Sequence, residues 1–366
     1  MDNLPEHVFV ENILFLLPVK SLVCMRSVCK SWRSRILNPD FIELHMAKTM
    51  ADPYSDNLIA HDRWGHDNQL SVVNTNFLDK GVSCLDFPSN LPKPCYVVGS
   101  CNGLLCVACE QSRQILKELY IWNPATREVK HVHEHTYINI YKMSNINQGS
   151  LGFCFDISSS DYKVVRIVTE HRFAPVMSRV EVYSLIKNYW KEIKVDDFEV
   201  ESNCPAIVKG SIYWIVKHGL VYRRPSALLS FDVKSENFCT ISLPDSIMSH
   251  KYSSDIELLE FKESVALILG NSTNEDITIW TLDDDSCWIM KFTIALRPSP
   301  IRKIVGCLKT GEFVGKDCDE LLVYNPVNNV VKQTQLKMVT PRIYSYSESL
   351  VNLSSPSRST PIAREG

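Results

Sequence analysis

A hairpin that recurs about every fifty residues constrains this chain more than any other feature. The segments LYIWNPATREVKHV, VEVYSLIKNYWKEIKV, LLSFDVKSENFCTISL, ITIWTLDDDSCWIMKF and LLVYNPVNNVVKQTQL share one design: a short apolar strand ending on an aromatic, a polar turn and a second strand. The aromatics are Trp122, Tyr183, Phe231, Trp280 and Tyr324, spaced by 61, 48, 49 and 44 residues. Val129, Trp190, Phe238, Trp288 and Val331 follow them by seven or eight positions, which suits a turn of about four residues. Further strands are predicted at GLLCVA behind the Asn102-Gly103 turn, YKVVRIV (162–168), GSIYWIV (210–216) and SVALIL (264–269), giving about four strands per repeat. Four-stranded units that bury their faces only against neighbours build a β-propeller. Val73, 49 positions before Trp122, marks a weaker first blade between about 55 and 95, so residues 46–365 would hold about six blades. With 13 glycines and no glycine pairs, the ring is kelch-like rather than a true kelch propeller. The two stray spacings leave a pair of β-sandwiches as the alternative.

The first forty residues follow another rule. In LPEHVFVENILFLLPVKSLVCMRSVCKSWRSRI, Leu4 and Pro5 open a helix with Asn3 as its cap, and proline costs nothing at a first helical position. Val8, Ile13, Leu14 and Leu17 recur at helical intervals until Pro18 stops the pattern. Leu22, Met25, Cys29, Trp32 and Ile36 then form an apolar stripe with Lys20, Arg26, Lys30, Arg33 and Arg35 mostly between them. Val10, Phe15, Leu16, Val19, Val23 and Val28 lie off it, so two faces are apolar. So short a segment cannot bury both, and a second protein is expected to cover one. The alternative is a helical hairpin packed on the rest of the chain.

These residues resemble an F-box, the motif that attaches substrate receptors to a Skp-type adaptor. The likeness covers residues 4–36: the Leu-Pro opening, the Ile-Leu pair, the Leu-Pro-Val-Lys-Ser-Leu turn and the Val-Cys-Lys-Ser-Trp close. Cys24 and Met25 depart from it, standing where many members carry a basic and an aromatic residue. The resemblance implies adaptor contact through Leu4, Pro5, Val8, Ile13, Leu14, Leu17, Pro18, Val19, Leu22, Val28 and Trp32. Farther on, NPATRE, GFCFDISSSDYKVVRIV, VEVYSLIKNYWKEI, GSIYWIV and LLSFDVKSENFCTISLPDSI resemble the F-box-associated domain of plant F-box proteins, from about Gly99 to Leu353. Within that family, SCWIMKFTI and the SESLVNL tract are similar to S-locus F-box proteins of self-incompatibility, which implies pistil ribonucleases as clients. Other members with the same landmarks serve defence or hormone pathways.

Composition excludes several classes. A net charge of −3 gives no footprint for nucleic acid. No apolar run approaches the roughly 18 residues of a membrane span. No basic n-region or cleavage site precedes the first helix, so the thirteen cysteines read as reduced thiols of a cytoplasmic or nuclear protein. Cys106-Val-Ala-Cys109, with Cys95, Cys101, His131, His133 and His135 nearby, invites a zinc reading, but a structural site normally pairs two such knuckles. Cys101, Cys106 and Cys109 read instead as buried strand thiols, and the alternating histidines as a solvated edge. No nucleophile elbow, P-loop or H-E-x-x-H helix is present. The acidic groups Asp283-Asp284-Asp285, Asp196-Asp197 with Glu199 and Glu201, and Asp317 with Asp319-Glu320 read as solvated turns.

The expected organisation is thus an all-α F-box (1–45), a linker and possible first blade (46–98), a propeller-like F-box-associated domain (99–353) and a disordered tail (354–366). The expected role is the substrate-recognition subunit of a Skp-cullin-F-box ubiquitin ligase, without catalytic residue, metal or cofactor. Its partners are a Skp-type adaptor, through it cullin and RING subunits, and an unidentified protein client, with neither nucleic acid nor membrane. A propeller scaffold outside any ligase, or a propeller enzyme with a metal in its channel, are the rivals.

Overall fold

The computed structural model describes residues 13–51, 57–62, 69–74, 83–109, 118–133, 146–147, 150–170, 177–195, 198–200, 205–218, 224–249, 256–270, 276–295, 301–339 and 341–353. Its strands make six antiparallel sheets. The first holds β1 (Asn57–Asp62), β2 (Gln69–Asn74) and β3 (Ser83–Asp86), and the second β4 (Cys95–Cys101), β5 (Leu104–Cys109), β6 (Glu118–Asn123) and β7 (Glu128–Val132). The third comprises β8 (Ile146–Asn147), β9 (Leu151–Asp156), β10 (Asp161–Glu170), β11 (Met177–Ser184) and β12 (Tyr189–Ile193). The fourth has β13 (Ala206–Val208), β14 (Ser211–His218), β15 (Arg224–Asp232) and β16 (Asn237–Ser242), and the fifth β17 (Ile256–Phe261), β18 (Ser264–Leu269), β19 (Ile277–Leu282) and β20 (Trp288–Ile294). The sixth is β21 (Lys303–Cys307), β22 (Phe313–Asp317), β23 (Glu320–Asn325) and β24 (Val330–Lys337). The last strand, β25 (Pro341–Tyr346), returns to pair with β1 from Asn57↔Tyr346 to Asp62↔Pro341. Strands β4, β9, β13, β17, β21 and β25 each adjoin the next around a circle, and β25 adjoins β4. The chain is therefore a six-bladed propeller, not a pair of sandwiches, and pairing between its two ends locks the ring.

The repeat in the sequence is the blade. Trp122, Tyr183, Phe231, Trp280 and Tyr324 all lie on the third strand of a blade, as does Val73 on β2. Four of the five paired positions face their aromatic directly: Trp122↔Val129, Tyr183↔Trp190, Phe231↔Phe238 and Tyr324↔Val331. The fifth does not. A bulge between Ile279 and Trp280 sets Trp280 opposite Met290, and Trp288 faces Leu282. The turns carry their own signature. A side chain at the start of each accepts from backbone N–H groups inside it: Asn123 from Ala125 and Thr126, Asp232 from Ser235, Asn325 from Val327 and Asn328. Each of these turns ends on a left-handed residue, Arg127, Glu236 or Asn329, as type I turns in hairpins commonly do.

The core lies between blades. Phe153, Tyr162, Tyr183 and Trp190 pack on Cys106 and Ile121 of the second blade, while Val165 and Val182 pack on Trp214 and Phe231 of the fourth. Strand β5 is buried along its whole length, which explains its unbroken apolar run. Lys163 bridges the third and fourth blades, donating to the Val233 carbonyl at 2.8 Å and pairing with Glu236 and Asp156, both at 3.1 Å.

The N-terminal stripe is split. A short 3-10 turn (Leu14–Leu16) precedes α1 (Val19–Met25), whose N-cap is Pro18. Helix α2 (Lys30–Ile36) then starts at Cys29, which is not part of a continuous stripe but the cap, its Sγ accepting from the Trp32 N–H at 3.4 Å. A third helix, α3 (Pro39–Ala51), runs across the expected boundary at 45 and starts where Asn38 Oδ1 accepts from the Asp40 N–H at 2.8 Å. The expected boundary at 99 falls within β4, since the ring begins at Asn57. A four-residue helix, α4 (Asp245–Met248), lies between the fourth and fifth blades.

Candidate functional site

The helical module has a small core of its own. Leu14, Val19, Leu22 and Ile36 are buried, with Leu17, Val23, Met25, Trp32, Phe41 and Ile42 packed around them. Two residues from the propeller join it: Leu350, just past β25, and Ala125 in the β6–β7 turn. The second apolar face is thus partly covered by the chain itself. Helix α3 is tied down by His45, whose Nε2 bonds the Leu17 carbonyl at 2.9 Å, and by Lys48, which donates to the Phe15 carbonyl at 3.0 Å. Burial pushes the His45 imidazole below its usual range, and Lys48 adds to this, against the favourable carbonyl contact.

What remains uncovered is apolar. Ile13, Leu16, Val28, Leu44 and Met50 are exposed, Leu16 and Val28 by 66% and 62%. Lys30, Arg33 and Arg35 are exposed on α2. Single exposed apolar side chains are ordinary, but five within so short a module exceed what scattered exposure leaves.

The eleven residues expected to meet an adaptor divide accordingly. Leu4, Pro5 and Val8 lie outside the described residues. Ile13, Pro18 and Val28 are exposed, and Leu17 and Trp32 are half-buried. Leu14, Val19 and Leu22 are enclosed, because their side chains fill the space between α1, α2 and Leu350. In this structure they pack within the helical core rather than on its surface. Leu44 and Met50 escaped the sequence reading because no helix was predicted there; Asn38-Pro39, a cap followed by proline at the first helical position, was the available signal.

The cysteine reading resolves on strand geometry. A three-residue spacing on a strand points side chains to opposite faces, and Cys106 packs toward the third blade while Cys109 packs with Cys95 toward the first. Burial raises the Cys106 thiol to about 12, so it is protonated at neutral pH. Among the described residues no group of three or more His, Cys, Asp or Glu is arranged to hold a metal ion. His131 and His133 adjoin through their Nδ1 atoms at 3.2 Å, and His135 lies outside the described residues. Asp283, Asp284 and Asp285 form a surface turn, whereas Glu199 pairs with the buried Lys217 at 3.0 Å. Among the described residues no helix is long and apolar enough to cross a membrane.

Comparison with known proteins agrees with this arrangement. The F-box domain model matches residues 1–44, and the model of the F-box associated beta propeller domain matches residues 66–355. Similar proteins of Arabidopsis thaliana include a putative F-box/kelch-repeat protein, 25% identical over 81% of this chain and 72% of the relative. Others are F-box/WD-40 repeat-containing protein 1, 25% identical over 98% of this chain and 91% of the relative, and F-box protein CPR1, 24% identical over 80% and 73%. An F-box of three short helices, carried on a closed six-bladed ring, places this chain in the family of F-box proteins with an F-box-associated β-propeller domain, whose architecture is that of a substrate adaptor.

Proposed function

We propose that this chain docks on a Skp-type adaptor, and through it on cullin and RING subunits, to bring a protein client to ubiquitin transfer in the cytoplasm or nucleus. The observation that carries the reading is the exposed apolar set Ile13, Leu16, Val28, Leu44 and Met50 on a module whose buried core is partly closed by the chain itself. The chain contributes proximity, and the bond-making chemistry belongs to other subunits.

Topology supports a reading of the client end. The Asn102-Gly103 turn and the β6–β7 turn lie beside the helical module, so first-to-second and third-to-fourth strand turns share that face. The second and fourth strands of the blades end toward the opposite face. That face is the proposed client surface, since variable connections on a rigid frame commonly carry specificity. The two tracts behind the S-locus resemblance do not lie in those connections: SCWIMKFTI runs into outer strand β20, and SESLVNL packs under the F-box. They describe the frame, and a ribonuclease client is one outcome of the same binding experiment.

The test is capture of a purified Skp-type adaptor by the full chain. Leu16→Asp with Val28→Asp alters only exposed positions and should weaken capture by about 2 kcal/mol or more if these are anchors. Val327→Asp, on an equally exposed propeller turn, should leave it unchanged. Equal capture by the double variant and the wild type would remove the assignment.

A further inference from the structure

The SESLVNL tract belongs to no blade, yet it joins the two parts of the molecule. Strand β25 closes the ring at Tyr346, and the next seven residues, Ser347–Leu353, run between the propeller and the helices. On the helical side Leu350, 1% exposed, sits among Leu14, Val19, Leu22 and Ile36. The Arg26 guanidinium donates to the Leu350 carbonyl at 3.3 Å, and Lys20 pairs with Glu348 at 3.0 Å. On the propeller side the buried Asn123 donates to the carbonyls of Ser349 and Val351, at 3.1 and 2.8 Å. The Leu353 N–H donates to Glu128 at 2.7 Å. Gly103 permits the approach: its φ is +77°, and a Cβ there would stand 2.4 Å from Ser349 Oγ.

We infer that Leu350 is a positioning residue of the docking site, and that the F-box helices reach their docking conformation only once β25 has closed the ring. The inference rests on the adaptor reading above. Its physical ground is the small size of the helical core: among the described residues the helices bury four apolar side chains, Leu14, Val19, Leu22 and Ile36, with partly buried neighbours around them, and a fifth buried one is supplied from more than three hundred residues away. Leu350 follows Tyr346 by four positions, and Tyr346 is paired with Asn57 in the closing strand pair. With so short a tether, Leu350 arrives at the helices when β25 arrives on β1. A chain lacking its last strand would therefore have an open ring and an unfinished docking module together, and an incomplete receptor would not load onto the ligase. Coupling of this kind is reciprocal, so adaptor binding should protect the Ser347–Leu353 segment in turn.

Amide hydrogen exchange and adaptor affinity, measured on the full-length chain, test this. Leu350→Ala should speed exchange in α1 and α2 by about tenfold or more and raise the Kd for purified Skp-type adaptor by a similar factor. Exchange in β10 and β11, deep in the ring, should stay as in the wild type. Leu350→Met, which restores apolar volume, should recover both readouts. Wild-type exchange in α1 and α2 of Leu350→Ala overturns the inference, as does wild-type affinity. Equal acceleration in β10 and β11 overturns it too, since Leu350 would then be a general stability residue. If the wild-type chain captures no adaptor, the docking reading falls by itself, and the exchange data still decide whether Leu350 completes the helical core.

Discussion

Asn123 offers the sharpest measurement of how the two parts are joined, because the propeller contains its own control. Its Nδ2 donates to the carbonyls of Ser349 and Val351, and its Oδ1 accepts from the N–H groups of Ala125 and Thr126. The residue has no exposed surface. Asn325 occupies the same place in the sixth blade, with Oδ1 accepting from Val327 and Asn328, but its Nδ2 meets only Glu312, at 3.4 Å in a half-exposed setting. Asn325→Ala therefore removes a solvated turn cap, worth about 0.5–1 kcal/mol. Asn123→Ala removes the same cap and leaves two carbonyls short of a donor where water is scarce, which raises the cost to about 2–4 kcal/mol. The difference, about 2 kcal/mol, corresponds to roughly thirtyfold faster amide exchange in Ser347–Leu353. Asn123→Asp sharpens the test. It preserves shape and the turn cap but sets a carboxylate oxygen against two carbonyl oxygens, so it should cost no less than alanine. If Asn123→Ala proves no more damaging than Asn325→Ala, or Asn123→Asp matches the wild type, the clamp is wrongly read.

Four further outcomes are expected. Gly306→Ala sets a Cβ 2.9 Å from Cβ of Ile343 on β25, an atom fixed to the backbone, so it should destabilise the ring closure by about 1–3 kcal/mol in chemical denaturation. Gly210→Ala meets nothing within 4 Å and should cost only its left-handed conformation, about 1 kcal/mol. Burial alone would raise the Asp156 carboxyl, but hydrogen bonds from Ser158, Ser159 and Lys163 outweigh it and hold the group well below the usual carboxylate range. Its stabilisation is complete above the unfolded pKa near 4 and drains away as pH falls below that, so Asp156→Asn should flatten the decline in melting temperature between about pH 5 and 3. His45, held below its usual range, is neutral in folded and unfolded chains above about pH 6.5 and opposes folding below it. Protection of the α3 amides, corrected for the slower intrinsic exchange at lower pH, should therefore fall as pH drops from about 7 to 5, and a His45→Gln variant that shows the same pH dependence of protection would clear His45 of that role.

The ring was legible because its signal is local. A strand, a turn and a strand lie within about sixteen residues, so an aromatic and its partner stay at a fixed offset whatever the connections between blades do. The one hairpin whose spacing is eight rather than seven is also the one with a slipped register: a bulge at Ile279 and Trp280 leaves Trp288 facing Leu282. The F-box posed the opposite problem. Its apolar excess pointed to cover from a second protein, with the rest of the chain as the alternative. The chain itself supplies part of the cover, and several apolar side chains of the described helices stay exposed. Leu350 covers the inner face, while Leu16, Val28 and Leu44 stay in solvent. No pattern could show this, since Arg26 and the Leu350 carbonyl it touches are separated by 324 positions and belong to segments that look independent. The two halves of that division constrain each other. Because Leu350 fills part of the inner face, what the described helices offer a partner is their outer side chains, and the proposed dependence of docking on β25 follows from the place of Leu350 in the chain.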